Sequence, residues 1–409
     1  MITTKPKFGL IASVVSLAVV LLTAGCGSKP VDAPFEEQLR EQLELAENGA
    51  LITIPAGTFE FDRSLSLKAD GITLRGQGMD QSILSFKNQI AGAEGLTVTG
   101  DDFVIEDLAI EDTIGDALKI NEGTNIVIRR VRTEWTNGPD VENGAYGIYP
   151  VQTTNVLIEG NVAIGASDAG IYVGQSRQVI VRHNRAEYNV AGIEIENTIG
   201  ADVYMNVADH NTGGILVFNM PGIPQRGHST RVFNNDVRAN NTANFAAPGT
   251  AVSGVPAGSG ILVNSNDRVE IFDNRLADNA TGNILISSYF SANYAGQRKL
   301  AAEFDPYPEE IMIYDNEFSG GGENPGADYL VNLKNQLFGI DGTFPDVIWD
   351  GIINPEKDQT RAPICLQNGD AQLLTVDAGN EFANAGIYIS AEECSISKLA
   401  PISLDGIAL

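Results

Sequence analysis

The sequence predicts an all-β fold: a single-stranded right-handed parallel β-helix (a solenoid) with an N-terminal capping helix and an irregular C-terminal cap. Three observations predict it. Gly-Ile or a close variant recurs at Gly147-Ile148, Gly170-Ile171, Gly192-Ile193, Gly214-Ile215, Gly260-Ile261 and Asn283-Ile284, with the Ile residues 23, 22, 22, 46 and 23 apart. Between these sites lie short β-branched runs that close on Asn: Asn155-Val-Leu-Ile-Glu-Gly-Asn161, Gln178-Val-Ile-Val-Arg-His-Asn184, Ala201-Asp-Val-Tyr-Met-Asn206, Arg231-Val-Phe-Asn-Asn235, Arg268-Val-Glu-Ile-Phe-Asp-Asn274 and Glu310-Ile-Met-Ile-Tyr-Asp-Asn316. Such runs are too short for helices and are punctuated by Gly and Asn, as strands are. Finally, the leucine frame of a leucine-rich repeat is absent, which leaves a β-solenoid with a period of about 22 residues. The interval of 46 is two periods, or one coil with a large insertion.

From the N-terminus, Lys5 and Lys7 precede an uncharged run from Phe8 to Leu22, then Thr23-Ala-Gly-Cys26. A short basic region, an apolar run and small residues before a cut site predict a secretory signal over 1–25. Cys26 is the expected lipidation site and 26–33 a flexible tether; an uncleaved membrane anchor is the other reading. Either places the folded part outside the cytoplasm. Gly27 is not the Asp that retains lipoproteins at an inner membrane, so an outer-membrane anchor is favoured.

Residues 34–49 carry Phe35, Leu39, Leu43 and Ala46 at helical spacing with Gly49 as a stop, a helix able to cover the open end of a solenoid. Coils are expected over 50–335, the irregular first ones at Leu51-Ile-Thr-Ile-Pro-Ala-Gly-Thr-Phe59, Gly71-Ile-Thr-Leu-Arg-Gly-Gln-Gly78 and Phe103-Val-Ile-Glu-Asp-Leu108. Residues 336–409 lose the period and form the expected cap, where Cys365 and Cys394 can make a disulfide in an oxidising compartment. Two buried thiols are the alternative.

The formal charge is −27, with 53 acidic against 26 basic side chains. That argues against general binding to nucleic acid or anionic lipid. Within the chain, residues 119–185 hold seven basic residues, among them Lys119, Arg129, Arg130, Arg132, Arg177, Arg182 and Arg185, against six acidic ones.

Strand alternation puts Ile171 and Val173 inside, so Tyr172 and Gly174 face out. The same register sets Lys119, Tyr149, Tyr172, Glu194, Leu216, Leu262 and Leu285 in one outward row, and Asn121, Val151, Gly174, Glu196, Phe218, Asn264 and Ser287 in a second. The preceding turn supplies Asp116, Asp140, Asp168, Asn189, His210 and Asn211. Tyr149 and Tyr172 on adjacent coils can stack on sugar rings or donate a proton. Glu194, Glu196 and Asp168 offer carboxylates for acid–base work, or with carbonyls for Ca²⁺; no other cofactor and no metal-ligand cluster is indicated. His210, beside Asp209, is the best-placed titrating base. Each has a plainer reading, as solvated surface or cross-coil packing. The exposed Leu and Phe of the later coils need cover, which the insertion 240–259 can provide; a second insertion spans 219–228.

The Ile-Pro-Ala-Gly opening and the Gly-Ile/Asn coils resemble the pectin-lyase-like superfamily of extracellular β-helices over roughly residues 50–335. Within it, Tyr146-Gly-Ile-Tyr-Pro-Val151, Asn161-Val-Ala163 and Asp168-Ala-Gly-Ile171 resemble mannuronan C5-epimerases. The resemblance implies a substrate groove along the outward rows and their turns, with an acidic polysaccharide as partner. Tyr149, Tyr172, Glu194, Asp168 and His210 are then the catalytic candidates, and Lys119, Tyr146, Glu196, Asp140, Asn189, Asn211 and Phe218 the binding ones. It also implies its own limit. The epimerase motif reads Tyr-Gly-Phe-Asp-Pro-His with a further Asp on the next coil; Tyr146 is retained, but those three positions hold Tyr149, Val151 and Gly174. Val cannot accept a proton and Gly cannot neutralise a charge, so that mechanism cannot run unchanged. Lyase, epimerase and hydrolase chemistry by another residue set stay open, as does a non-catalytic envelope scaffold.

Overall fold

The structure is a computed structural model that describes residues 33–291, 300, 303–357, 363–388 and 396–407. Cys26 and the leader lie outside them. The chain winds into a parallel β-helix with three walls. Among the described residues the first wall is a twelve-strand sheet, and a nineteen-strand sheet covers the other two. The second and third walls are joined where the long strands Val104–Glu111 and Thr124–Glu134 bend across both.

Parallel stacking makes neighbours of residues one coil apart. In the first wall Leu96, Leu118, Ile148, Ile171, Ile193, Ile215, Ile261, Ile284 and Val347 pair in one unbroken inward row. All are fully buried, and each side chain of this size contributes about 1.5–3 kcal/mol. Ile215 pairs directly with Ile261, so the interval of 46 is one coil with insertions. The coiling also continues past residue 335. Val347–Trp349 pairs with Gly282–Ser287, and Ile364–Gln367 with Glu309–Tyr314. A long excursion containing helix α2 (Asp328–Phe338) had hidden that register. The antiparallel strand Gly386–Tyr388 ends the first wall. At the other end helix α1 (Phe35–Glu44) packs Leu39 and Leu43 into the core.

Two Asn ladders hold the corners. Asn161, Asn184, Asn206, Asn235, Asn274, Asn316 and Asn368 are linked amide to amide at 2.9–3.1 Å, each step running from Nδ2 to the next Oδ1. Asn189, Asn211, Asn240 and Asn279 do the same at 3.0 Å. The corners from Asn161 to Asn316 and from Asn189 to Asn279 turn through a left-handed residue just before the Asn, for example His183, Met205, Tyr188 and His210 at φ 54–59°. Asn repays its place by satisfying the buried turn backbone.

The C-terminal segment does more than cap. Residues 399–407 run back along the second wall. The Leu399 N–H donates to Glu270, Ile402 N–H to Asp202 and Asp405 N–H to Asn155. Leu404 is buried on Val127, Leu157 and Ile180. Cys365 is disulfide-bonded; Cys394 lies outside the described residues.

Candidate functional site

The two outward rows of the first wall form in the register that alternation predicts, from Lys119 to Leu285 and from Asn121 to Ser287. Their exposure is the surprise. Tyr172, Glu194, Glu196, Leu216, Phe218, Leu262 and Leu285 are all buried. The cover comes from the insertion after Asn240: Phe245, Ala246, Val252 and Val255 pack on Tyr172, Leu216, Phe218, Leu262 and Leu285. The apolar stripe therefore has a partner within the chain, and Phe218 is packing rather than a binding residue.

Beside this cover lies a cluster of acids and tyrosines built from adjacent coils. Tyr146, Tyr149 and Tyr172 contact one another with ring centroids 4.5, 4.5 and 5.0 Å apart. The Tyr172 hydroxyl donates to Glu196 Oε1 at 2.8 Å. Its ring lies over Gly174, where an added Cβ would come within 2.4 Å of Tyr172 Cε1. Glu194 is 1% exposed, and its Oε2 has no hydrogen-bond partner. Toward the N-terminus the cluster opens to Lys119, Asp116 and Glu94, whose side chains are 26, 15 and 27% exposed. Lys119 reaches Glu94 at 3.5 Å and Asp116 at 3.7 Å, and sits 5.1 Å from the Tyr149 ring centre.

Burial sets the electrostatics. It pushes Asp168 up to about 8, helped by the charges of Glu196 and Asp116 and opposed by a hydrogen bond from Tyr146. Glu196 is pushed to about 7 by burial, which the Tyr172 hydrogen bond opposes. Burial, with Asp168 and Glu196 nearby, raises Glu194 well above the carboxylate range. Asp116 rises to about 6, chiefly by burial, with Lys119 opposing. Burial also raises Tyr149 to about 12 and lifts Tyr146 and Tyr172 further. Burial thus raises three neighbouring carboxyls, two of them to values near neutral pH, which is the equipment for proton transfer.

The structure brings together Lys119, Tyr146, Tyr149, Asp168, Tyr172, Glu194 and Glu196, and corrects four other assignments. Asn189 and Asn211 are fully buried ladder amides, with no group left for a ligand. His210 is a left-handed corner residue, half exposed, stacked on Tyr188 at 5.4 Å and 3.6 Å from Asp209; it is not part of the acid cluster. Asp140 is exposed and caps its own turn through the Glu142 N–H. The basic stretch 119–185 does not face this site either. Arg129, Arg130, Arg132, Arg177, Arg182 and Arg185 all belong to the nineteen-strand sheet. Five of them are ion-paired there, to Glu106, Asp107, Glu111, Glu159 and Glu187. Sequence reasoning had passed over Glu94 and Asp116's part in holding Lys119, which the irregular early coil concealed.

Among the described residues, the carboxylates close enough to share one metal ion are not these but Asp267, Asp305 and Glu309. Arg226 and Lys357 already pair with that group.

A family model described as right handed beta helix region matches residues 70–223 and 141–300. No curated protein matches the sequence. Solved structures with a similar course include the A-module of the mannuronan C-5 epimerase AlgE4 of Azotobacter vinelandii, at 16% identity and TM-score 0.49, covering 82% of this chain and 91% of that one. The DFA-IIIase of Arthrobacter chlorophenolicus is similar at 11% identity and TM-score 0.44, covering 81% and 88%. An alpha-1,3-glucanase catalytic unit of Streptomyces thermodiastaticus follows at 14% and 0.45, covering 77% and 47%. At these identities no residue role passes from them to this chain.

Proposed function

The chain belongs to the right-handed β-helix family, and on the first wall of that scaffold we propose a saccharide site that modifies a polysaccharide by acid–base chemistry. Glu194 is the proton donor, Glu196 and Asp168 are the groups that take a proton, and Tyr146, Tyr149 and Tyr172 form the wall against which sugar rings lie. One observation carries the reading: three carboxyls from two adjacent coils are buried against one another, at a cost to stability that no ion pair offsets. Buried acids of this kind are retained where they work. The test is to incubate the purified protein with a panel of polysaccharides and follow new reducing ends, unsaturated ends and altered sugar ratios. Glu194→Gln is expected to lower turnover by about 10²–10⁴-fold with no loss of thermal stability. Unchanged turnover in that variant, or a panel left wholly intact, would overturn the reading.

We also propose that the protein is held at a membrane surface by a lipid on Cys26, a reading supported by the basic and apolar leader that ends in Thr23-Ala-Gly-Cys26. A Cys26→Ser variant should then move from the membrane fraction to the soluble fraction, and an unchanged distribution would argue against the anchor.

A further inference from the structure

Glu194 and Glu196 point away from the core of the β-helix, yet they are only 1 and 8% exposed. A polymer cannot touch them until something on the outer side of the wall moves. The strands cannot part, because the parallel ladder holds this strand to a neighbour on either side. In its outward row Glu194 lies directly between Tyr172 and Leu216, one coil to each side. Both of these neighbours belong to the apolar cluster that also takes in Phe245, Ala246, Val252 and Val255 of the insertion.

The way the insertion is fastened makes it a separate part. Its ends are pinned to the coils: the Thr212 hydroxyl donates to the Thr242 carbonyl at 2.9 Å, Thr242 N–H to Asn211 O at 3.1 Å and Gly258 N–H to Asn240 O at 2.7 Å. Between the pins, among the described residues, every hydrogen bond of 243–255 stays inside the segment. Asn244 organises it, with Nδ2 donating to Val252 O and Val255 O at 2.9 Å and Oδ1 accepting from the Ala246 N–H. The segment carries no charged side chain and rests on the wall through apolar ones. Apolar contact is non-directional, so the segment can lift as a unit with its own hydrogen bonds intact, whereas peeling a strand breaks a ladder. Segments of this kind open below the cost of global unfolding, and active-site lids are drawn from them. Resting on the saccharide reading above, we propose that 243–255 is a flap that closes over Glu194 and Glu196 and lifts to admit a sugar chain. Shut again, it keeps bulk water from the proton transfer.

Thiol labelling of the full-length protein measures the lifting without any substrate. Leu216 and Val217 are adjacent and fully buried, Leu216 in the cluster with the flap and Val217 in the core of the β-helix. In native buffer iodoacetamide should label Leu216→Cys about a hundredfold faster than Val217→Cys, since only the second needs global unfolding. Leu262→Cys, one coil further along the same row, repeats the measurement if Leu216→Cys does not fold. A second pair of substitutions, Gly213→Cys with Val255→Cys, locks the flap, because a Cβ at Gly213 lies 3.2 Å from Val255 Cγ1. On a polymer that the wild type modifies, the oxidised pair should turn over about tenfold more slowly than the reduced pair, with the wild type unmoved by the same reductant. Full turnover in the oxidised pair would overturn the gate. Equal labelling at Leu216→Cys and Val217→Cys beside a modified polymer would overturn the flap alone. Fast labelling beside a panel of polysaccharides left wholly intact would overturn the saccharide reading and the gating role with it.

Discussion

Gly174 shows how much one missing side chain decides. The resemblance made it a lost acid, yet its hydrogen is what lets the Tyr172 ring lie flat and reach Glu196. The carboxylate of that row stands one coil further on, at Glu196. Gly174→Ala would put a methyl group 2.4 Å from Tyr172 Cε1, so the ring must swing away at a cost of about 1–3 kcal/mol. Because the lost hydrogen bond holds the Glu196 pKa down, the limb of the pH–rate profile set by this acid should move to higher pH while turnover falls. A variant with the wild-type profile and melting temperature would refute that account. Alternation of side chains made the rows legible from the sequence, since register follows from a repeat of about 22 residues. Burial of Glu194 and Glu196 was not legible, because alternation tells which way a side chain leaves the wall and not what packs over it. Asn189 and Asn211 were misjudged although the signal was there: with Asn240 and Asn279 they recur at the same corner, as Asn161, Asn184 and Asn206 do at the other.

At the scale of elements, the insertions and the tail do what the coils cannot do for themselves. A solenoid wall with apolar outward residues needs cover. In the first wall the segment with Phe245, Val252 and Val255 provides it; on the second wall Val127, Leu157 and Ile180 are covered by Leu404 of the returning tail. The tail's hydrogen bonds reach partners 129 to 250 residues earlier in the chain, contacts that no local pattern encodes. Ending the chain after Ser397 should expose that row and leave Asn155 and Asp202 without the backbone N–H groups they accept from. The expected loss is about 2–5 kcal/mol, seen as a lower melting temperature and faster amide exchange in Thr154–Glu159 and Arg177–Arg182. An unchanged melting temperature would mean that the tail is an ornament on the wall.

Across the whole molecule, stacking identical coils also stacks charge, and the net charge of −27 sharpens the consequence. Two sets of carboxyls respond to pH in opposite senses. Glu106 and Asp107 are held below the usual range by hydrogen bonds and charges from Arg129, Arg75 and Arg130, against the pull of burial. Their support is present above an ordinary carboxyl pKa and fades as acid protonates them. Asp168 at about 8, Glu196 at about 7 and the higher Glu194 act the other way. Above a pH of about 4 the unfolded chain has released these protons while the folded chain still holds them, so folding binds protons and stability falls as pH rises. The fall becomes less steep beyond about 8, once Asp168 and Glu196 have ionised in the folded state, and goes on for as long as Glu194 keeps its proton. Stability should therefore peak on the acidic side of neutrality. The triple variant Asp168→Asn, Glu194→Gln, Glu196→Gln removes the second set only, so its melting temperature should match the wild type near pH 5, exceed it at pH 8.5 and vary less between the two. Thermal melts across that range measure this directly, and two parallel curves would mean that the buried acids carry none of the pH response.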